Sequence, residues 1–532
     1  MKQYPAKSIR NIVLAGHGGS GKTSLAEAML WLSGASDRLG KTADGNTVCD
    51  FDPEEIRRKT SIATAIAPIE RDGLKINLLD APGLFDYVGG VNEGFRAAES
   101  VVIVVSGKGG VEVGAEKANK LALTTGRSRF FFINKLDAEG SNFYQAFDAL
   151  RDSFGPSVCP VVVPFYEGEN VGGYIDLIEQ KAYAYKNGKA SAVAMPALDQ
   201  MDDLMNALSE AIAETDEALM EKFFEGEAFT QDELKKGLIA GVRNGDIAPV
   251  YCGAALTLDG VELLLNGLSA FAPSPVDARP EVTEEGDEIA VDENAPTAAI
   301  VFKTVADPFV GKMSFFKVIA GKMSSDAPLV NMRTGSQEKI GKIVIVRGKK
   351  QEDTSCITAG DIAAVTKLNN ARTGDTFCAP ARQITLRGVD YPTPLLSMAM
   401  LPAKKGEEEK IAGGLARLSE EDPSITYGQN PETKQMIVSG QGDQHIDVIV
   451  SKLKSKFSVD VVLETPRVAY RETIRKKVEQ QGRHKKQSGG HGQFGDVYIR
   501  FEPCESEGLE FAEEVVGGSV PKNFFPAVEK GL

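Results

Sequence analysis

One glycine-rich segment constrains the fold of this chain more than any other feature. Residues Gly16–Thr23 read GHGGSGKT, follow a short β-type run at Asn11–Ala15 and lead into a helical pattern at Ser24–Leu32. Such glycines let backbone amides turn inward around phosphates, and the following helix offers its positive N-terminal end. The segment therefore predicts a phosphate loop in an α/β domain. Its candidate binding residues are Gly16, His17, Gly18, Gly19, Ser20, Gly21, Lys22 and Thr23.

A second motif adds candidate ligands for a metal ion and a terminal phosphate. Lys22 of the phosphate loop is expected to reach the β- and γ-phosphates, and the Thr23 hydroxyl to ligate Mg²⁺. The buried strand predicted at Lys75–Leu79 ends in Asp80, Ala81, Pro82 and Gly83. A carboxylate at that position can hold Mg²⁺ through water, and the Gly83 amide can meet a γ-phosphate.

The third motif decides the base. Apolar strands are predicted at Val101–Val105 and Phe130–Ile133, and the second of them ends in Asn134, Lys135, Leu136 and Asp137. The Asp137 carboxylate can accept from N1 and N2 of guanine, which adenine cannot match. The Lys135 stem would cover the base, and Asn134 would tie this loop to the phosphate loop. Three motifs in this order, each at the carboxyl end of a strand, predict a GTP site rather than an ATP site.

The polar segment between the first two motifs is a candidate switch. Asp50–Ile62 reads DFDPEEIRRKTSI and by composition alone would be a solvated loop. Its position suggests a segment that γ-phosphate and Mg²⁺ order and that hydrolysis releases. Ser61, or alternatively Thr60, would supply the hydroxyl that senses the nucleotide.

Longer stretches carry a resemblance that covers essentially the whole chain. They are RRKTSI at Arg57–Ile62, VEVGAEKA at Val111–Ala118, the run Pro249–Pro275, the run Asp307–Met323, and HKKQSGGHGQFGDV at His484–Val497. The first two resemble the first switch and the helix after the second switch of elongation factor G. The third resembles the last strand, third base-recognition loop and closing helix of its GTP-binding domain. The last two resemble its β-barrel domain and the opening of its fourth domain. The chain is therefore identified as similar to the elongation factor G family of translational GTPases.

The resemblance implies ligands, partners and further site residues. It implies GTP and GDP with Mg²⁺, a ribosome as partner through its RNA and proteins, and a third base-recognition loop at Gly253, Ala254 and Ala255. It implies GTP hydrolysis that depends on Lys22, Ser61 and Gly83, and a metal site formed by Thr23, Ser61 and Asp80.

Three positions depart from the pattern of typical family members. The residue after the DAPG motif is a histidine that positions the attacking water in typical members, and here it is Leu84, which can neither donate to nor accept from water. Ser61 replaces the switch threonine, and Gly19 replaces an aspartate in the phosphate loop. These departures suggest a divergent paralogue.

Several activities fit this sequence. The first is GTP hydrolysis on the ribosome to promote translocation or a related step of protein synthesis. Alternatives are a ribosome protection or recycling GTPase and, because of Leu84, a GTP-binding regulator with little turnover.

The element pattern predicts a multidomain α/β protein. We expect a P-loop GTPase domain at 1–275 with an inserted subdomain at about 160–249, an acidic linker at 276–296 that is solvated spacer, an antiparallel β-barrel at 297–390, and a ferredoxin-like α+β domain at 391–465 with βαββαβ order. Residues 466–532 would begin a fourth α+β domain. Compared with the family, the chain is expected to stop partway through that domain.

Charge and cysteine usage restrict partners and location. The 532 residues carry 60 Lys plus Arg and 75 Asp plus Glu, a formal charge of −15, which argues against a generic nucleic-acid coat. Six scattered cysteines predict isolated buried thiols, and no apolar run approaches the ~18 residues of a membrane span. We therefore expect a cytoplasmic monomer with no DNA or membrane partner.

One local region departs from this acidic average. Between Arg467 and Lys486 eight basic residues stand against two acidic ones, beside the glycine-rich SGGHGQFG. This pattern suggests RNA-phosphate contact, with a solvated strand face as the alternative. The basic residues are Arg467, Arg471, Arg475, Lys476, Lys477, Arg483, Lys485 and Lys486.

Overall fold

The computed structural model describes residues 2–168, 170–186, 188–307, 311–368, 370–470, 472–506 and 508–532. The chain divides into two compact units. One comprises Met1–Asn430 with Lys434–Pro466, and the other comprises Pro431–Thr433 with Arg467–Leu532. No helix in the described ranges combines the length and the apolar character that crossing a bilayer requires.

The first domain of the larger unit alternates strands and helices. Its strands are β1 (Ile9–Ala15), β2 (Ala65–Arg71), β3 (Leu74–Asp80), β4 (Ser100–Ser106), β5 (Ser128–Asn134), β6 (Val158–Pro160), β7 (Val162–Glu167), β8 (Asn170–Asp176), β9 (Lys181–Lys186), β10 (Lys189–Val193) and β11 (Ala248–Cys252). Its helices are α1 (Lys22–Leu32), α2 (Pro53–Arg58), α3 (Val88–Ala97), α4 (Val113–Thr125), α5 (Phe143–Phe154), α6 (Met201–Ala213), α7 (Glu217–Phe224), α8 (Gln231–Asn244) and α9 (Val261–Phe271).

A seven-stranded sheet in the order β2-β3-β1-β4-β5-β11-β6 forms the centre of this domain. Only β2 pairs antiparallel, and the remaining neighbours are parallel. Strands β4 and β5 are buried almost throughout, as their continuous apolar runs predict for a sheet covered on both faces. The carboxyl ends of β1, β3 and β5 therefore lie at the same edge of the sheet, with β4 between β1 and β5, and each sequence motif begins at one of these ends.

The inserted segment forms a small α+β layer of its own. Strands β7 to β10 pair antiparallel in the order β10-β9-β8-β7, and α6, α7 and α8 follow them. Thr230 begins α8 with a complete capping box, because its hydroxyl accepts from the Glu233 amide and the Glu233 carboxylate accepts from the Thr230 amide.

A β-domain follows. Its strands are β12 (Glu281–Val282), β13 (Glu288–Ile289), β14 (Ala298–Asp307), β15 (Gly311–Ala320), β16 (Lys322–Ser324), β17 (Pro328–Asn331), β18 (Ser336–Lys339), β19 (Ile343–Arg347), β20 (Lys350–Thr354), β21 (Cys356–Thr358), β22 (Ile362–Thr366) and β23 (Thr376–Cys378). Eight of them form one antiparallel sheet in the order β18-β17-β23-β14-β15-β22-β19-β20. Residues 308–310 of the predicted barrel motif lie outside the described residues.

The sequence favours a packing role for the adjacent Phe315 and Phe316, and both side chains are buried in this domain. The alternating pattern of Lys339–Arg347 predicts one strand in the sequence. This prediction is wrong, because β18 ends at Lys339 and β19 begins at Ile343. The break lies at Gly341, where an added Cβ would be 2.4 Å from the Thr366 carbonyl oxygen.

The acidic segment 276–296 is more than solvated spacer. Its two short strands β12 and β13 pair with each other. Glu281 is buried, and its carboxylate lies 2.9 Å from Arg96 Nη1 and 3.2 Å from Lys317 Nζ. The Ala6 amide donates to Glu293 at 2.6 Å. The expectation of a solvated spacer is therefore wrong here, because charge density alone does not show which carboxylates face buried cations.

The third domain has the predicted βαββαβ order. Its elements are β24 (Leu396–Pro402), α10 (Glu408–Glu421), β25 (Thr426–Gln429), β26 (Met436–Gly440), α11 (Asp443–Phe457) and β27 (Val461–Glu464). The four strands pair antiparallel in the order β25-β26-β24-β27, and both helices pack their apolar sides into one core with the sheet.

The smaller unit contains a long hairpin and a terminal helix. Strands β28 (Val478–Ser488) and β29 (His491–Phe501) pair antiparallel along their whole length, and α12 (Phe525–Gly531) has its proline in the first turn. Arg483, Lys485 and Lys486 are exposed on this hairpin. Arg471, also part of the predicted basic run, lies outside the described residues.

Four of the six cysteines agree with the prediction of buried thiols. Cys356 is half-buried and Cys504 is exposed, so the prediction is wrong for Cys504. The exposed thiol lies in the smaller unit, within the stretch that follows β29.

Candidate functional site

The phosphate loop turns tightly between β1 and α1. Gly16, Gly19 and Gly21 have φ values of +133°, +83° and +98°, which only glycine adopts without strain. Lys22 Nζ donates to the carbonyl oxygens of Gly16 at 3.1 Å and His17 at 2.8 Å, so the ammonium closes the loop on itself. The buried Ser20 hydroxyl has no hydrogen-bond partner in the described part of the chain. The loop thus concentrates polar donors in a confined space.

His17 uses its ring to hold a neighbouring helix. Its Nδ1 accepts from the Gly114 amide at 3.3 Å, at the start of α4. The ring lies edge-on to Phe85 with centroids 5.9 Å apart, and Lys117 Nζ lies 3.9 Å from the Phe85 centroid. His17 therefore joins the phosphate loop to α4 and to the segment after Gly83.

Lys22 and Asp80 form the charged centre of the site. Burial lowers the pKa of Lys22, and the Asp80 carboxylate partly opposes that shift. Burial and the nearby Asp50 carboxylate raise the pKa of Asp80. Neither Asp80 oxygen has a hydrogen-bond partner of good geometry among the described residues, although the Thr23 hydroxyl is close enough to lower the pKa of that carboxyl. A buried carboxylate with free acceptor capacity suits a hydrated divalent cation.

The two predicted metal-ligating hydroxyls meet. Thr23 Oγ1 and Ser61 Oγ are 3.1 Å apart, although 38 residues separate them in sequence. Burial raises the pKa of the nearby Asp50 carboxyl, and the Ser61 hydroxyl partly opposes that shift. The donor set of two hydroxyls and two carboxylates is all oxygen, which is what Mg²⁺ prefers.

The base side of the site is tied together by one amide. Asn134 Nδ2 donates to the Ser20 carbonyl oxygen at 3.0 Å, and Asn134 Oδ1 accepts from the Ala255 amide at 3.0 Å. A Cβ added at Gly21 would lie 2.3 Å from Asn134 Nδ2. The buried Asn134 side chain therefore links the phosphate loop, the third motif and the third base-recognition loop.

The rest of this side follows the same geometry. Lys135 Nζ donates to the Gly19 carbonyl oxygen at 2.6 Å, and the Leu136 amide donates to the Gly253 carbonyl oxygen at 3.2 Å. The Ala254 amide donates to the Asp259 carbonyl oxygen at 2.9 Å. Asp137 is exposed in the loop that follows β5. All predicted base-side residues thus lie in one continuous pair of loops.

The second motif, Asp80–Gly83, packs directly against the phosphate loop. A Cβ added at Gly83 would lie 2.4 Å from Lys22 Nζ and 2.8 Å from Gly18 Cα, so only glycine fits there. Leu84 is half-buried and packs with Ile62, Tyr87 and Val448. Asp80, Ala81 and Pro82 continue from β3 into this contact, with Asp80 and Ala81 fully buried.

A solved structure matches nearly the whole length of this chain. A crystal structure of a protein from Thermus thermophilus superimposes with a TM-score of 0.87 and 33% sequence identity, covering 99% of this chain and 77% of that chain.

Family comparisons match each part of the chain in turn. Residues 7–274 match the model described as Elongation factor Tu GTP binding domain, and residues 296–380 match Elongation factor G domain 2. Residues 391–465 match Elongation Factor G, domain III, and residues 466–532 match Elongation factor G, domain IV. The chain belongs to the elongation factor G family.

For this elongation factor G family member, the GTP-binding domain implies guanine nucleotide binding and GTP hydrolysis. The fold is the multidomain α/β arrangement expected from the sequence, with the GTPase domain followed by a β-rich domain and two α+β domains.

Sequence reasoning missed two carboxylates of the switch segment. Asp50 is 4% exposed and reaches Ser61, and Glu55 is 3% exposed and accepts from the Ile62 amide at 3.1 Å. Burial, with the Asp50 carboxylate second, raises the pKa of Glu55 to about 7. Glu55 also completes the capping box of α2 with Asp52. That box, D-x-x-E before a helix, was the one available signal, whereas nothing in the sequence marks Asp50 as buried.

In this elongation factor G family member the candidate switch Asp50–Ile62 and the segment that follows Gly83 also contact the third domain. Ser451 Oγ of α11 donates to Glu54 at 2.6 Å, and Arg58 pairs with Asp447. The Gln444 and His445 amides donate to Asp86, which follows Leu84 by two residues. Helix α11 therefore lies against the candidate switch and against the segment that follows Gly83, as the resemblance to elongation factor G implies for this domain.

Proposed function

We propose that this chain binds GTP with Mg²⁺ and hydrolyses it on the ribosome, where it promotes translocation or a related step of protein synthesis. The observation that supports this most is the convergence of the three motifs at one sheet edge, with Thr23 Oγ1 3.1 Å from Ser61 Oγ. Hydroxyls from the phosphate loop and the switch, brought together beside two buried carboxylates, form a site that depends on a terminal phosphate and a cation.

Each residue has a role that follows from its chemistry. The Lys22 ammonium would neutralise the β- and γ-phosphates, and the loop amides of Gly16–Thr23 would donate to their oxygens. Thr23 and Ser61 would hold Mg²⁺ directly, and Asp80 would hold it through water. The bound ion would supply charge neutralisation at the phosphates. The Gly83 amide would donate to the γ-phosphate.

Base choice would be made on the opposite side. The Asp137 carboxylate would accept from guanine N1 and N2, and the Lys135 stem would cover one face of the ring. Asn134 would hold these loops at the correct distance from Ser20 and Ala255, while Leu136, Gly253 and Ala254 would complete the wall. This arrangement excludes adenine, because its N6 amino group and unprotonated N1 present the reverse hydrogen-bond pattern.

The attacking water needs a positioning group that this chain does not supply at Leu84. An apolar side chain cannot orient water, so ribosomal RNA would contribute to the orientation on the ribosome. The same leucine favours, as a second candidate function, a GTP-binding regulator with little turnover. A ribosome protection or recycling GTPase remains a third role for the same site. We propose that the factor acts as a monomer in the cytoplasm, without DNA.

Single-turnover GTP hydrolysis with and without ribosomes separates these functions. We expect ribosomes to accelerate hydrolysis by at least about tenfold, because the proposal places part of the water-orienting machinery on the ribosome. An unchanged rate would support the regulator instead.

Leu84→His tests whether the lack of a polar side chain at position 84 limits GTP hydrolysis. We expect the variant to raise the ribosome-stimulated rate by about 10²-fold, the lower range for a positioned acid or base. Leu84→Gln, which restores a polar side chain without an imidazole, is the control. A stimulated rate that His leaves unchanged contradicts the proposed role of position 84.

A further inference from the structure

The segment that follows Gly83 provides a helix cap for a different domain. Asp86 lies in a short 3₁₀ turn, Phe85–Tyr87, and its Oδ2 accepts from the amides of Gln444 at 3.0 Å and His445 at 3.2 Å. These amides are the second and third of α11, the positions that an N-cap side chain normally satisfies. The residue at the N-cap of α11 is Gly442, which has no side chain to serve them.

Gly442 is required by this contact rather than by its backbone angles. Its φ of −176° is extended and open to any residue. A Cβ there would lie 2.5 Å from Asp86 Oδ2, so a larger residue would push the Asp86 carboxylate away from the α11 amides. The glycine therefore makes room for a cap that comes from 356 residues earlier in the chain.

Neighbouring contacts fix the same junction. The Tyr87 ring lies edge-on to the His445 ring with centroids 6.1 Å apart. His445 Nδ1 accepts from the Gln441 amide at 3.1 Å, so its protonated Nε2 faces Asp422 Oδ2 at 3.0 Å. Tyr87 also shares an apolar cluster with Ile62 and Val448. The cap is thus part of a packed junction and not an isolated surface contact.

We propose that Asp86 is a positioning residue that couples the nucleotide to the third domain. Capping α11 anchors the segment that carries Gly83 against the phosphate loop, in the same arrangement that brings Ser61 to Thr23. A γ-phosphate that holds Gly83 therefore favours the capped α11, and the capped α11 favours the γ-phosphate. This inference rests on the proposed function, because it assumes that GTP occupies the site.

The test measures equilibrium affinities of the full chain for fluorescent GTP and GDP analogues. We expect Asp86→Ala to weaken GTP binding by about tenfold, within the usual range of coupling between two sites, and to leave GDP binding unchanged. A general loss of folding would weaken both nucleotides alike, so the GTP-to-GDP affinity ratio isolates positioning. Asp86→Asn, which keeps an acceptor oxygen, should retain most of the ratio.

Variants on the other side of the contact complete the test. Gly442→Ala should lower the same ratio, and the double variant Asp86→Ala/Gly442→Ala should be no worse than either single one, because both remove one contact. Asp443→Ala, an exposed acid in the same helical turn, is the matched control and should change nothing. An unchanged ratio in Asp86→Ala, or additive losses in the double variant, overturns the coupling. Failure of the unmodified chain to bind GTP overturns the proposed function as well.

Discussion

The two sides of the nucleotide site are built differently. The base side consists of loops within the first domain, which Asn134 links to Ser20 and Ala255. The switch side extends beyond its domain, because Arg58 pairs with Asp447 and Asp86 caps α11. The base side is therefore complete within its own domain, whereas the arrangement of the switch side depends on contacts with the third domain.

This difference separates affinity from signalling. Because the base side lies within one domain, its affinity for guanine nucleotide should depend little on the other domains. A switch side that contacts a neighbouring domain can transmit the presence of a γ-phosphate to that domain. The γ-phosphate and the third domain both favour the same arrangement of the switch side. Variants on each side should therefore have distinguishable effects on GTP and GDP.

The largest expected effect concerns the buried ion-pair cluster formed by Arg96, Glu281 and Lys317. Glu281 faces Arg96 of α3 and Lys317 of β15 in a buried position. Glu281→Ala leaves the Arg96 guanidinium without this carboxylate partner, whereas Lys317 keeps its ion pair with Glu99. We expect a loss of about 3–5 kcal/mol in unfolding free energy. Urea unfolding followed by fluorescence of Trp31, the single tryptophan, measures it. The control is Glu284→Ala, which removes an exposed acid three residues away. Equal urea midpoints of unfolding for the two variants would contradict a stabilising role for the Arg96–Glu281–Lys317 cluster.

The same carboxylate gives a pH dependence. Burial alone would raise the pKa of Glu281, but Arg96, Lys317 and Arg127 lower it from 4.5 to about 2. Since the folded-state pKa is depressed, the stabilisation is complete above about pH 4.5 and is lost as the pH falls toward 2. The stability difference between the unmodified chain and Glu281→Gln should therefore shrink across this window. A difference that stays constant from about pH 5 to about pH 2 would be inconsistent with the depressed pKa.

A second large effect is expected on the base side. Asn134→Ala leaves the Ser20 carbonyl and the Ala255 amide without partners, at about 1–3 kcal/mol for each buried group. We expect both GTP and GDP to bind about 10²-fold more weakly, measured by equilibrium titration. Asn142→Ala, which removes the N-cap of α5 in the same region, is the matched control and should leave both affinities near their original values. A loss confined to GTP would mean that the base side is not self-contained.

On the switch side the effect should be smaller and selective. Ser61→Ala removes a proposed Mg²⁺ ligand that γ-phosphate orders, so GTP affinity should fall by about tenfold while GDP affinity stays the same. Thr60→Ala decides between the two neighbouring hydroxyls. If Thr60→Ala shows the larger loss, Ser61 is not the sensing residue.

These contrasts also show what could be predicted from sequence. The placement of Asn134 and Lys135 beside the phosphate loop was predictable, because their motif lies at the end of a strand whose apolar run is visible in the sequence. The loop at Gly253–Ala255 was expected only from the family resemblance. Asp50, Glu281 and the cap by Asp86 were not, because their importance comes from burial and from partners far away in the sequence. For Glu281 the charge pattern led to a wrong prediction of a solvated spacer. An acidic run that is wholly exposed and one with a single buried carboxylate have the same sequence pattern.

The smallest expected effect lies in the smaller unit. Arg483 lies over the Phe494 ring at 5.7 Å, and Lys485 and Lys486 are exposed beside it on β28. If this hairpin contacts RNA phosphates, Lys485→Glu with Lys486→Glu should reduce the slope of log affinity for ribosomes against log salt by about 1–2. The same charge change at Lys235 and Lys236 is the control. An unchanged slope in the hairpin variant rejects the RNA contact.

Amide hydrogen exchange with GTP analogue and with GDP tests the difference between the two sides most directly. We expect the base-side amides of Leu136 and Ala255 to be protected equally by both nucleotides. The switch-side amides of Ile62, Gln444 and His445, which donate to Glu55 and Asp86, should be protected more strongly by the non-hydrolysable GTP analogue. Equal protection of these three amides by both nucleotides would contradict the account.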